Sequence, residues 1–151
     1  MPPSKPLKAR AVSDILRFKH WSDVRPEQWP LQFFDPKEVA DSRDGSIVLH
    51  VPFGLRMDGL REFCGFPIRV NSWYRTPEHD RDIGGKGNHS GGWAADIAPA
   101  SGKPEHWYVM LTQGAEMRFA GIGFNVPSFI HLDDNKDYER HRLRPRVWKY
   151  G

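Results

Sequence analysis

The segment Trp93-Ala94-Ala95-Asp96-Ile97-Ala98 reads as a strand carrying one acid among small and apolar residues. Side chains alternate between the two faces of a strand. Trp93, Ala95 and Ile97 therefore share a core face, while Asp96 shares the other with Ala94 and Ala98. A carboxylate between two methyl groups is expected on an open floor, as a metal or substrate site requires. Phe129-Ile130-His131-Leu132-Asp133 repeats the arrangement, with Ile130 and Leu132 on one face and His131 and Asp133 on the other. His89 precedes Asp96 by seven residues, and Gly91 and Gly92 let the chain fold back beside the carboxylate. If the two strands lie near each other, two imidazoles and a carboxylate converge. Three N/O ligands with a fourth position left open is the catalytic zinc pattern; a structural zinc site closes with four ligands, often cysteines. Taken singly, each segment is better explained by a satisfied polar residue near a strand. The pair leaves both readings open.

Outward from these strands, Pro52 opens a helix in which Phe53, Met57, Leu60 and Cys64 recur at spacings of three and four, and Gly65 stops it. Ile68–Arg75 reads as a strand, Gly84–Gly92 as a glycine-rich loop, and Pro104 as the start of a helix with Trp107, Leu111, Ala115 and Phe119 facing the core. Gly121–Phe124 and Ser128–Asp133 read as short strands about a turn at Asn125–Pro127. Upstream, Ser13 caps an expected short helix over Ser13–Trp21, residues 22–49 read as irregular, and residues 1–12 as a loose arm. The order α, β, β, α, β, β predicts a single α+β domain over residues 31–151, a small antiparallel sheet flanked by helices, after an N-terminal arm and short helix over 1–30.

A chain of 151 residues is the size of one compact domain. No apolar run approaches the ~18 residues needed to cross a bilayer, and the N-terminus shows no apolar core of a secretory signal. A single cysteine, Cys64, excludes an intramolecular disulfide and reads as a small buried hydrophobe. The formal charge of +3 is concentrated in the tail Tyr138–Gly151 and at the N-terminus. It fits either a solvated surface or attraction to an anionic polymer such as a cell wall.

Three ordered motifs resemble the M15 zinc peptidases of D-Ala-D-Ala carboxypeptidase type. Pro67-Ile-Arg-Val-Asn-Ser-Trp-Tyr-Arg-Thr-Pro-Glu-His79 is similar to that family's P-I-x-V-x-S-G-Y-R-T/S-P-x-H segment. Gly84-Gly85 followed by His89-Ser-Gly-Gly-Trp-Ala-Ala-Asp96 resembles H-x-x-G-x-A-x-D, and Gly121-Ile-Gly-Phe124 with Phe129-Ile-His-Leu-Asp133 resembles G-I-G-x-Y/F … F-V-H-V-D. The resemblance spans about residues 31–150, with Trp148 also as expected. It implies a D-Ala-D-Ala-peptidase or Hedgehog-like fold, and zinc on His89, Asp96 and His131. It also implies Arg75 facing the substrate, where a guanidinium grips a carboxylate or polarises a carbonyl. The alternative for Arg75 is a surface ion pair.

Departures from the family pattern bear on substrate preference. Trp73 replaces a usual Gly and is expected to narrow the floor beside Arg75; Gly87 replaces a frequent Ser, and Asp80 a common Asn. Where some relatives carry an acidic base three residues before the last zinc histidine, this chain has Ser128. Asp133 is the candidate general base, its other reading being a carboxylate that orients a ligand imidazole. The expected activity is metal-assisted hydrolysis of peptide bonds in peptidoglycan stems or crossbridges by a monomer acting at the bacterial envelope, as a phage lysin or wall hydrolase does. One rival is a non-catalytic, zinc-containing wall-binding or virion module. The other, nucleic-acid binding through the basic tail, lacks a recognised fold or stacking platform.

Overall fold

A computed structural model describes residues 14–135 and 144–151. β1 (Ile15–Phe18) pairs antiparallel with β2 (Ile47–His50), Ile15 opposite His50 and Phe18 opposite Ile47. The expected helix at 13–21 is thus a strand followed by a single 3-10 turn, Trp21–Asp23. An isolated helix of two turns is marginal in water, whereas the buried β2 residues Ile47, Val48 and Leu49 offer a ready backbone partner. The expected cap Ser13 and the arm lie outside the described residues. Within the stretch read as irregular, the structure also contains the one-turn helix α1 (Pro36–Val39), closed by Asp35 N–H donating to Glu38 Oε2 at 2.7 Å.

α2 (Val51–Cys64) follows directly, with His50 Nδ1 accepting the Phe53 N–H and Gly65 terminating it at φ 71°. β3 (Ile68–Ser72) stops three residues earlier than expected. The short helix α3 (Pro77–Asp82) comes next, capped by Thr76 Oγ1 accepting from His79 N–H at 3.1 Å. β4 (Ala94–Pro99), α4 (Pro104–Glu116), β5 (Gly121–Asn125), β6 (Phe129–Asp133) and β7 (Arg146–Lys149) complete the chain.

The main sheet has the order β3-β4-β6-β5-β7. Its first four strands are antiparallel as expected, but β7 runs parallel to β5. The sheet is therefore mixed. Ala95 sits opposite Leu132 and Ile97 opposite Ile130, and these side chains are buried in one core with Phe53, Met57, Leu60 and Met110 from α2 and α4. The other face carries one cross-strand row of Ser72, Asp96, His131, Gly123 and Trp148, neighbour to neighbour.

The α3 end of the molecule is fastened by Asp41. Its carboxylate accepts from the Thr76 N–H at 2.8 Å, from Arg43 N–H at 2.6 Å, and from the His79 ring at 2.8 Å. Burial alone would raise the Asp41 pKa, but these donors outweigh it and hold it below its usual value. Its stabilising contribution is accordingly full above the unfolded-state pKa of ~3.9 and is lost as pH falls through the lower folded value. Asp41→Asn is expected to cost about 1–3 kcal/mol at neutral pH. Denaturant titrations at two pH values should show the gap from wild type shrinking below pH ~4; a gap that persists in acid rules out the charge as its source.

Candidate metal centre

His89 lies on a 3-10 turn, His89–Gly91, at the end of the glycine-rich loop. Its Nδ1 is 2.7 Å from the Trp73 carbonyl oxygen. A carbonyl only accepts, so Nδ1 carries the proton and the Nε2 lone pair is left facing Asp96 Oδ2 at 3.4 Å. Asp96 and His131 are direct partners across β4 and β6, with His131 Nδ1 2.8 Å from Asp96 Oδ1. The other nitrogen, His131 Nε2, lies 2.7 Å from Asp133 Oδ2 and donates to it. One donor atom from each of His89, Asp96 and His131 falls within 4.8 Å of the others.

Electrostatics follow the same contacts. Burial would raise the Asp96 pKa, but the two imidazoles hold the carboxylate well below its usual range. His131 moves the other way: burial opposes its charge, and the Asp133 and Asp96 carboxylates more than compensate, raising its pKa. A proton is thus drawn to the lone pair a divalent cation would take, and the two compete for it. Two imidazole nitrogens and a carboxylate oxygen, with each ring's outer N–H tied to a fixed acceptor, suit zinc.

Asp133 is fully buried and leaves no open oxygen toward the cleft. It accepts from His131, from the Asn135 N–H at 3.0 Å, and from Arg144 Nη1 at 3.0 and 3.1 Å to its two oxygens. Ser128 is exposed on the turn and offers no carboxylate. The two glycines of the Gly121-Ile122-Gly123 motif explain themselves on this face. A Cβ at Gly121 would collide with the Arg144 guanidinium and the Asp133 carboxylate, and one at Gly123 with the Trp148 indole at 2.6 Å. Both strand positions are bare so that Arg144 can reach Asp133 and Trp148 can approach His131, ring centroids 5.2 Å apart.

Arg75 comes back over the site because β3 ends at Ser72. Its Nη1 is 3.5 Å from Asp80 Oδ1 and its Nη2 3.8 Å from Asp96 Oδ2. Arg75 Nε and Asp80 Oδ1 are buried and lack hydrogen-bond partners among the described residues. With His89, Asp96, Phe129, His131 and Tyr150, Arg75 lines a cleft of about 310 Å³. Larger cavities, about 410 Å³ beside His20 and Lys37 and about 520 Å³ beside His50 and Arg56, contain none of the clustered donors.

Two expectations change. The floor around Asp96 is not open, since Ala94 and Ala98 are both fully buried. Trp73 does not narrow it either: the residue follows Ser72, the cross-strand partner of Asp96, so alternation sends its ring into the core, edge-on to Phe34 and Phe53. Cys64 is half-buried at the end of α2, and burial pushes its thiol up to about 11, which removes it as a nucleophile near neutral pH. Sequence reasoning missed Arg144 and Tyr150, which stood in what looked like a basic tail. It also treated Asp80 only as a departure, although Thr76-Pro77 followed by Glu78 carries a helix-start signal that places it.

The mixed α/β domain thus sets a nitrogen-and-oxygen donor cluster, His89, Asp96 and His131, at the base of a cleft. A family model described as peptidase M15 matches residues 50–133, and the chain belongs to that family, whose peptidases are generally metal-dependent. Among curated proteins, none matches the chain.

Proposed function

We propose that the protein is a zinc-dependent peptidase that hydrolyses peptide bonds in bacterial peptidoglycan, in a stem peptide or a crossbridge. The observation that carries the reading is the His89, Asp96 and His131 cluster, in which the outer nitrogen of each ring is committed to an acceptor and the inner one is left for a cation. A bound zinc ion there supplies Lewis acidity and a water that ionises near pH 7. Arg75, which lines the same cleft, would hold a carbonyl oxygen or peptide carboxylate there through its guanidinium fork. The Tyr150 phenol has a pKa raised by burial and by the Asp96 and Asp133 charges, so at neutral pH it keeps its proton and can donate to charge developing on the same oxygen. Wall peptides as substrate rest on family membership and on the basic surface. Mass spectrometry of purified peptidoglycan digested by metal-replete protein tests the proposal: new stem or crossbridge fragments are expected, and an unaltered digest rejects it.

Asp133 is better suited to orienting His131 than to taking a proton from the reacting water, because its oxygens are filled by His131, Arg144 and Asn135. Asp133→Asn is expected to weaken zinc affinity by ~10–100-fold, with excess zinc restoring much of the rate. A variant with full zinc occupancy and a kcat lower by ~10²–10⁴ would instead return the general-base role to Asp133.

A further inference from the structure

Beside the metal cleft lies a second cavity of about 260 Å³, walled by Lys86, Arg144, Arg146, Trp148 and Tyr150. Lys86, Asn88 and Tyr150 line both cavities, so the two are adjacent. We propose that this trough is a subsite for a carboxylate carried by the substrate, an acidic side chain or a free α-carboxylate near the scissile bond. The proposal deepens the peptidase reading and rests on it.

The charge arrangement carries the argument. Three cations face one small cavity, and among the described residues the one carboxylate ion-paired with any of them is Asp133, through Arg144 Nη1. Arg144 is only 9% exposed, yet its Nε is buried with no hydrogen-bond partner among the described residues. Leaving a charged donor buried and unpaired is costly, and such a group calls for an acceptor that arrives later. Lys86 and Arg146 are exposed, and neither forms an ion pair among the described residues. Both guanidinium groups lie against one ring: Arg144 Cζ and Arg146 Cζ are each 5.5 Å from the Trp148 centroid. The indole therefore holds two planar forks at the cavity wall, and a fork of this kind matches a carboxylate in two parallel hydrogen bonds. Trp148 and Tyr150 give the walls an apolar surface suited to the methylene stem of the residue that bears the charge. Adjacency to the metal cleft, through shared walls, favours an anion belonging to the bound peptide over one on a separate polymer.

Two peptide substrates that differ only in a carboxylate or carboxamide at the flanking position test this. Wild type is expected to prefer the carboxylate by ~10–100-fold in kcat/KM, mostly through KM, as one charge-assisted contact allows. The preference should fall toward unity in Arg146→Gln and in the Lys86→Gln/Arg146→Gln double variant, and return in part in Arg146→Lys. Equal rates on the two peptides in wild type overturn the subsite. If neither peptide is cut, the peptidase reading fails first, and a binding measurement decides the subsite. In that case the ¹⁵N-detected Nε–H resonance of Arg144 is followed as glutarate is added to the zinc-loaded protein. A saturable shift, absent with glutaramide, supports the subsite; no shift overturns it. Displacement of glutarate by lower concentrations of glycerol 3-phosphate overturns the assignment to a carboxylate.

Discussion

Stripping the metal from the wild-type protein with a chelator is expected to reduce hydrolysis of wall peptides by at least ~10⁴-fold, and stoichiometric zinc should restore it. The size follows from what the chain's own groups can do alone. Arg75 and Tyr150 can bind and polarise a carbonyl, but among the described residues no side chain in the cleft is a strong nucleophile: Cys64 is remote, with a thiol pKa pushed up to about 11. In the proposed reaction the attacking group is therefore water, and at neutral pH an unassisted water forfeits most of the 10⁶-fold or greater acceleration typical of enzymes. Elemental analysis should find about one zinc per chain, and His89→Ala should lose both metal and activity. Stability should follow, since an ion at a thousandfold excess over its Kd contributes about 4 kcal/mol to a state that alone binds it. In a domain of this size that corresponds to a fall in Tm on the order of 10 °C on chelation. Full activity after exhaustive chelation, or a Tm unmoved by zinc, would remove the ion from the reaction.

Such a site is legible in sequence because a strand repeats every two residues. Asp96 with Ala95 and Ile97, and His131 with Ile130 and Leu132, each pair a buried face with a polar one, and the register sets Asp96 directly opposite His131. Period-two patterning fixes which residues share a face. It does not say what covers that face. Ala94 and Ala98 therefore looked open, whereas both are fully buried in the folded chain. The expectation for Trp73 came from its standing in place of a Gly, and face counting from Ile68 could not have corrected it, because β3 shifts register between Val70 and Ser72 and then stops.

The larger omissions are non-local. β1 and β2 are short strands stabilised by each other across the intervening α1 segment, and neither has enough internal periodicity to stand out. β7 lies parallel to β5, which requires a connection that pattern reading cannot anticipate. With it come Arg144 and Trp148, whose partners Asp133 and His131 are brought close by the fold. The paired glycines at 121 and 123 were the available signal. Two bare positions on one face of a strand mean that something must approach it closely, and here two things do, a guanidinium and an indole.

Arg75→Ala is expected to keep the bound zinc and lose at least ~100-fold in kcat/KM. Its guanidinium is only 3.8 Å from Asp96 Oδ2 and is held from the far side by Asp80 at 3.5 Å, so it overhangs the clustered donors without replacing any of them. Removing a preorganised cation aimed at a developing oxyanion costs about 10²–10³ in rate. The loss should appear mainly in kcat if Arg75 meets the scissile carbonyl, where negative charge grows only in the transition state. It should appear in KM if Arg75 grips a substrate carboxylate whose charge is present throughout. Arg75→Lys separates the two further. A lysine restores a point charge but not the fork, so it should rescue polarisation of a carbonyl better than bidentate capture of a carboxylate. Asp80→Asn offers an independent check, because loosening the guanidinium without deleting it should give a smaller loss in the same parameter that Arg75→Ala affects. Wild-type turnover by Arg75→Ala would show that this side chain serves only its ion pairs with Asp80 and Asp96, and would leave Tyr150 as the group to test for polarising the carbonyl.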